Sequence, residues 1–178
     1  MVSLVVLFWI FVAIFGVIGA MRGWAKELLV SFAVILAIFF ITVLELFVPF
    51  FRDILAVESG AALFWVRIGI LMVLVLFAYQ TPNIPKLAST NRFARERLQD
   101  ILLGVFIGMV NGYLVAGTIW YYLNAAGYPF PNLVSAPTGA ELEVVNNYMK
   151  YMPPALLGTP AIYFAVAIAF AFILMVFI

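Results

Sequence analysis

The feature that most constrains this chain is a series of five long apolar stretches, with the charged residues gathered almost wholly in the gaps between them. Charged residues make up 10% of the chain and hydrophobic residues 67%, whereas an average soluble domain is roughly a quarter charged. Too few polar side chains exist to cover a water-facing surface. The sequence therefore predicts an all-α integral membrane protein.

The apolar stretches approach the length of about 20 residues that crosses a bilayer as a helix. We predict one membrane domain over residues 1–178, with short connections and five transmembrane helices at about 2–20, 28–47, 61–79, 101–123 and 161–178. Because no Lys or Arg precedes the first stretch, we expect a retained helix and not a cleaved secretory signal. A very short polar turn, residues 21–27, joins the first two spans.

The basic residues predict the orientation of the bundle, since cytoplasmic loops carry an excess of Lys and Arg. The second and fourth connections hold only Arg52 and Lys150. The first and third connections hold six basic residues, of which we expect most to act as cytoplasmic anchors: Arg22, Lys26, Lys86, Arg92, Arg95 and Arg97. The N-terminus is therefore predicted outside and the C-terminus in the cytoplasm.

Two segments between the spans have the pattern of short amphipathic helices. Residues 140–152, in the external fourth connection, repeat apolar side chains at helical spacing. Residues 91–100 resemble a basic amphipathic helix that lies on the cytoplasmic surface. The second segment would either anchor the protein to anionic lipid or dock a partner protein.

Small residues repeat along one face of three spans, and in lipid such faces let helices approach closely. They predict either packing within the bundle or a groove for another protein's helix or a lipid tail. For the fourth span we expect the first span as the partner. The residues are Gly16, Gly19 and Gly23 at the first span, Gly104, Gly108, Gly112 and Ala116 in the fourth, and Ala161, Ala165 and Ala169 in the fifth.

Three polar residues lie inside the predicted spans. Glu45 and Arg67 sit at comparable depth near the outer surface, where they either pair with each other or are held separately by headgroups and water. Asn111 lies in the middle of the fourth span, so its amide needs a hydrogen-bond partner. That partner is either another helix or a transported substrate. The sequence shows no acid in the middle of a span, which disfavours ion-coupled transport.

The chain has no Cys and no His, which excludes thiolate chemistry and the usual zinc, iron–sulfur and haem ligands. We therefore expect no metal and no cofactor, although bound lipid or carotenoid remains possible without a His ligand. The formal charge of +1 gives no reason to expect nucleic acid. The expected partners are membrane lipids and other integral membrane subunits.

Two sequence blocks resemble the colicin V production protein (CvpA) family. Residues 19–29, GAMRGWAKELL, are similar to that family's G-x-x-R-G-x-x-(K/R)-E-L junction, and residues 98–112, LQDILLGVFIGMVNG, to its D-(R/x)-x-L-G-x-x-(F/x)-G-x-x-(R/x)-G stretch. Asn111 stands where the family commonly has Arg, and a fifth span follows the usual four. The resemblance, over about residues 1–123, implies a bacterial inner-membrane protein linked to colicin production and envelope homeostasis.

Together these patterns favour a non-enzymatic accessory or structural subunit of a larger membrane assembly, such as a secretion, envelope, respiratory or photosynthetic complex. A small transporter or channel component related to CvpA-type export is the alternative. No cluster of catalytic side chains points to an enzyme.

The orientation can be tested with reporter fusions at Asn91 and Ser135, in the third and fourth connections. We expect the fusion at Asn91 to report the cytoplasm and the fusion at Ser135 to report the exterior, because of the asymmetry in Lys and Arg. The reverse pattern would show that the chain inserts the other way round.

Overall fold

The computed structural model describes residues 3–51, 60–80 and 94–177. Within these residues it forms no strand, and its helices include α1 (Leu4–Arg22), α2 (Trp24–Phe47), α3 (Gly60–Tyr79), α4 (Ala94–Ala125), α5 (Ala140–Met149), α6 (Pro153–Leu156) and α7 (Ala161–Phe177). The helices α1 to α4 are long and apolar enough to cross a membrane, and α7 is apolar but shorter. The predicted all-α membrane architecture is confirmed.

Two of the predicted boundaries are wrong in an informative way. The polar turn expected over residues 21–27 shrinks to Gly23 alone, so that α2 begins at Trp24 instead of near residue 28. The surface helix expected over residues 91–100 is, where the structure describes it, the first part of α4. It continues into the fourth span without a break, because no Pro or Gly interrupts residues 94–103.

The centre of the bundle is α2, which packs against α3, α4 and α7, while α1 lies along α4. The largest core cluster joins α2, α3 and α4 through apolar side chains that are almost fully buried, among them Val34, Ile38, Leu71 and Val115. A helix buried on several sides reads as apolar all round, which is why α2 shows no polar face in the sequence.

The tightest contact in the bundle is between α1 and the glycine face of α4. A Cβ atom on Gly104 would overlap the backbone of Gly19, and one on Gly108 would overlap the carbonyl of Phe15. Gly112 lies against the backbone of Val12, 2.7 Å from where its Cβ would be. The partner helix is therefore the one expected, and the two helices run antiparallel.

The amphipathic helix of the fourth connection packs onto the protein's own helices. Val145, Met149 and Met152 are buried against Phe8 of α1 and Trp120 of α4. The expected helix ends at Met149 instead of residue 152, and Leu142 at its start is 43% exposed. The apolar face of α5 is thus covered by the bundle and not by lipid.

The small-residue face predicted for the last span is only partly used. Ala169 of α7 is buried and Ala165 is half-buried, but Ala161 is exposed in this chain. Ile162 is fully buried instead, because α7 packs against α2 through a single helix face and Ile162 lies on that face. The alanine repeat is therefore not the packing face along its whole length.

The glycine contact predicts a sharp difference between two substitutions of the same kind. Gly108→Ala should destabilise the protein by about 1–3 kcal/mol, because its Cβ would lie 3.0 Å from the Cα of Gly19 and closer still to a carbonyl. Gly69→Ala in α3 is the matched control, with no atom within 4 Å of its added Cβ. Thermal unfolding in mild detergent measures both. Equal unfolding midpoints for the two variants would contradict the observed packing.

Candidate functional site

The site begins at the one-residue turn between α1 and α2. Gly23 has φ of 83° and ψ of 158°, a combination that residues with a side chain rarely adopt. The carboxylate oxygens of Asp100 on α4 also lie 3.0 Å from the position that its Cβ would occupy. This turn fixes the end of α1 directly against the start of α2, so Arg22 and Glu27 face each other across it.

Arg22 and Glu27 form an ion pair inside the bundle. The guanidinium Nη1 of Arg22 donates to Oε1 of Glu27 at 2.7 Å, and the side chain of Glu27 is fully buried. Nη2 of Arg22 donates to the backbone carbonyl of Tyr79 at 3.3 Å, and the guanidinium carbon lies 4.1 Å from the centre of the Tyr79 ring. The end of α3 is thereby tied to the turn.

Asn111 completes the network from α4. Its Nδ2 donates to the backbone carbonyl of Glu27 at 2.8 Å and to Oε2 of the same residue at 2.7 Å. Its Oδ1 accepts a hydrogen bond of 2.6 Å from the hydroxyl of Ser31, one turn further along α2. Of the two predicted partners for Asn111, the structure shows another helix.

These contacts define the buried polar network: Arg22, Glu27, Ser31, Tyr79 and Asn111. Both carboxylate oxygens of Glu27 are engaged, one by a guanidinium and one by an amide. A charge held in a low-dielectric interior is stable only when it is paired and hydrogen-bonded in this way. The network therefore holds α1, α2, α3 and α4 together at one end of the bundle.

A second ion pair joins the helices at the other end. Nε of Arg67 on α3 donates to Oε1 of Glu45 on α2 at 2.6 Å, and its guanidinium carbon lies 4.8 Å from the centre of the Tyr122 ring. Of the two interpretations of these residues, pairing is the one observed. Glu27 and Glu45 are 18 positions apart, or about 27 Å along a helix, which is close to the thickness of the hydrocarbon core.

The predicted cytoplasmic anchors differ in their surroundings. The side chain of Arg22 is 18% exposed, and its guanidinium is paired with Glu27. Of the other predicted anchors, Lys26 lies at the start of α2, half-buried, and Arg97 is exposed on α4. Arg92 lies outside the described residues, and Arg95 in a part of α4 that is described by its backbone alone.

The burial of Glu27 was not predicted from the sequence. The residue was expected in a polar turn, with no acid in the middle of a span, whereas it is buried in the first turn of α2. The signal was present in Ser31, which follows four positions later and so lies on the same helix face. A buried amide at Asn111 needs polar partners on one neighbouring face, and Glu27 and Ser31 supply them.

An open apolar groove of about 420 Å³ lies between α2, α3 and α7. Phe32, Phe77 and Phe170 each contribute to its wall from one of these helices. No charged or polar side chain lines it, and among the described residues no group of His, Cys, Asp or Glu is arranged to hold a metal ion. The groove suits an apolar segment and not a polar substrate.

The chain was compared with known proteins at three levels. No protein-family model, no curated protein and no solved structure matches it.

The buried polar network predicts unequal effects for two Glu→Ala substitutions. Glu27→Ala should cost about 3–5 kcal/mol of stability, because it leaves the part-buried guanidinium of Arg22 and the buried amide of Asn111 without the carboxylate that accepts from both. Glu45→Ala is the matched control and should cost less, since the Glu45 side chain is 32% exposed whereas that of Glu27 is fully buried and accepts hydrogen bonds from both Arg22 and Asn111. Unfolding in mild detergent compares them. A cost at Glu45 equal to that at Glu27 would contradict a special role for the buried pair.

Proposed function

We propose that this membrane protein is a non-enzymatic accessory subunit of a larger membrane assembly. The observation that carries the proposal is that three buried polar side chains of the bundle are used to join helices. Glu27, Ser31 and Asn111 each hydrogen-bond within the buried polar network. Groups committed to such contacts hold a fold together, and chemistry or transport needs groups that face a substrate.

The groove between α2, α3 and α7 provides a place for a partner. Its wall is apolar, and two of its large side chains, Phe77 of α3 and Phe170 of α7, are 77% and 61% exposed. A transmembrane helix of another subunit could lie in this groove and cover them. Helices in lipid gain from such close packing even without a hydrophobic driving force.

We also propose that the protein lies in the bacterial inner membrane with its N-terminus outside, and that it belongs to the CvpA family. Its support is the two resembling sequence blocks, residues 19–29 and 98–112. They lie against each other in the bundle, with Gly19 on Gly104 and Gly23 beside Asp100. Two separate blocks in contact are what a shared structural core would give.

A small transporter or channel component is the second candidate, and one observation favours it. An acid and a base buried within membrane helices are expensive, and such residues often mark ion or proton pathways. Glu27 and Arg22 are such a pair. In this case Glu27→Gln would alter a flux while the protein still assembles.

Site-specific photo-crosslinking tests the first candidate. A benzophenone side chain at Phe170, in the groove, should form an adduct with another membrane protein in native membranes. The control is the same side chain at Phe106, which lies on α4 away from the groove and is similarly exposed, 65% against 61%. We expect a protein adduct at position 170 and only lipid adducts at position 106.

Reconstitution separates the two candidates. If the purified chain alone in liposomes moves a solute with saturable kinetics, and Glu27→Gln changes the rate, the subunit proposal fails. Identical protein adducts at positions 170 and 106 would also contradict it, because they would show random collisions in place of a defined interface.

A further inference from the structure

A second cavity, of about 300 Å³ and also open on one side, lies at the end of the bundle opposite Gly23. Five aromatic side chains from α1, α4 and the fourth connection line it, and we call them the aromatic cage: Phe8, Trp9, Tyr113, Tyr148 and Tyr151. Neither the buried polar network nor the groove includes any of them. The cage therefore needs an explanation of its own.

The rings of the cage stand at steep angles to one another. The planes of Trp9, Tyr113 and Tyr148 are inclined at 72°, 74° and 77° to the plane of Phe8, with ring centres 5.3, 6.1 and 6.4 Å away from its centre. These are edge-to-face contacts, a favoured way for aromatic side chains to pack, so the rings of the cage support one another around the buried Phe8. The opening lies beside this cluster, and the five rings border it together with Asn147 and Met152.

Hydrogen bonds within the cage hold these rings in place. The indole Nε1 of Trp9 donates to the hydroxyl of Tyr148 at 3.4 Å, and the hydroxyl of Tyr113 donates to the backbone carbonyl of Tyr151. The polar ends of three rings are thus directed at cage neighbours. These contacts restrict the rotation of Trp9, Tyr113 and Tyr148 and leave the cavity with a mainly aromatic lining.

Aromatic rings attract cations, because the face of each ring carries negative electrostatic potential. A quaternary ammonium group suits such a lining best, since its methyl groups need no hydrogen-bond acceptors. A primary ammonium would need acceptors. The side-chain oxygen of Asn147, which also lines the cavity, already accepts a hydrogen bond of 3.0 Å from Lys150.

The charges at the rim are compatible with a bound cation. Lys150 carries a positive charge there, but it is exposed and on a flexible stem. Glu143 lies one turn before Asn147 on the same face of α5, and it is also exposed. Lys150 should weaken the binding of a cation, and Glu143 should favour it.

Interfacial aromatic residues are common in membrane proteins, where they form a belt around the perimeter. Trp65 and Phe130 form an aromatic pair with ring centres 5.6 Å apart, and neither residue lines the cavity of the aromatic cage. The aromatic cage differs, because residues far apart in sequence converge on one cavity. The pair Trp65 and Phe130 thus serves as an internal control.

We propose that the aromatic cage is a binding site for a quaternary ammonium group, supplied either by a choline lipid headgroup or by a free quaternary ammonium compound. This site is independent of the proposed function as a subunit. It can be occupied whether or not the groove between α2, α3 and α7 binds a partner.

Ligand-observed NMR on the protein in a maltoside detergent tests the proposal. Choline should bind, and its uncharged isostere 3,3-dimethylbutan-1-ol should bind about tenfold more weakly, because it lacks the charge that the rings attract. Equal binding of the two compounds would show a merely hydrophobic cavity and would overturn the proposal, as would failure of choline to bind.

Substitutions locate the site. Tyr148→Leu should weaken choline binding about tenfold, while Trp65→Leu, at the control pair, should leave it unchanged. Lys150→Ala removes an exposed side chain, so it should leave the fold intact, and it should strengthen binding. An unchanged affinity in both Tyr148→Leu and Lys150→Ala would place the binding elsewhere and overturn the assignment, and thermal unfolding midpoints identify a variant that fails to fold.

Two nanodisc preparations distinguish the sources of the group. If a lipid headgroup fills the cage, free choline should bind in phosphatidylglycerol discs but not in phosphatidylcholine discs. If the site takes a free compound, choline should bind in both. Absence of binding in both preparations would contradict the proposal.

Discussion

The close approach of α1 and α4 over glycine is the contact on which the rest of the structure depends. Backbone meets backbone at Gly19, Gly104 and Gly108, and this is possible only because no side chain intervenes. The short separation brings Asn111 within reach of Glu27 and places Asp100 beside the turn at Gly23. A wider spacing between these helices would separate the partners of the buried polar network.

The hydrocarbon environment explains why both carboxylate oxygens of Glu27 are paired. A polar group in lipid has no water with which to form hydrogen bonds, so every unsatisfied donor or acceptor costs free energy. Glu27 meets this requirement with two different helices at once. Because these partners come from α1 and α4, the position of α2 follows from the α1–α4 contact.

Much of the architecture was predictable from the sequence, since the bilayer imposes a minimum length and an apolar composition on each span. The glycine repeat at Gly104, Gly108 and Gly112 also predicted its partner helix, because small faces pack against small faces. The site was only half predictable. Asn111 could be identified as a buried amide, but its partner Glu27 was hidden by proximity to Arg22 and Lys26, which made the segment look like a solvent-exposed turn.

The aromatic cage was not predictable at all, because it depends on how the fourth connection folds back. Tyr148 and Tyr151 reach Phe8 only when α5 packs onto α1 and α4. Periodicity identified the apolar face of this helix, but a face does not specify what covers it. An apolar helix face has the same sequence pattern whether lipid or protein covers it.

The continuity of α4 has a mechanical consequence. A helix of 32 residues is about 48 Å long, well beyond the hydrocarbon thickness of about 30 Å. Its first residues therefore extend beyond the turn at Gly23 as a continuous helix and do not lie flat. Arg97 lies on this extension, and Asn111 lies further along the same helix. A force that tilts the exposed end of α4 would therefore tilt the whole helix about its glycine contact with α1.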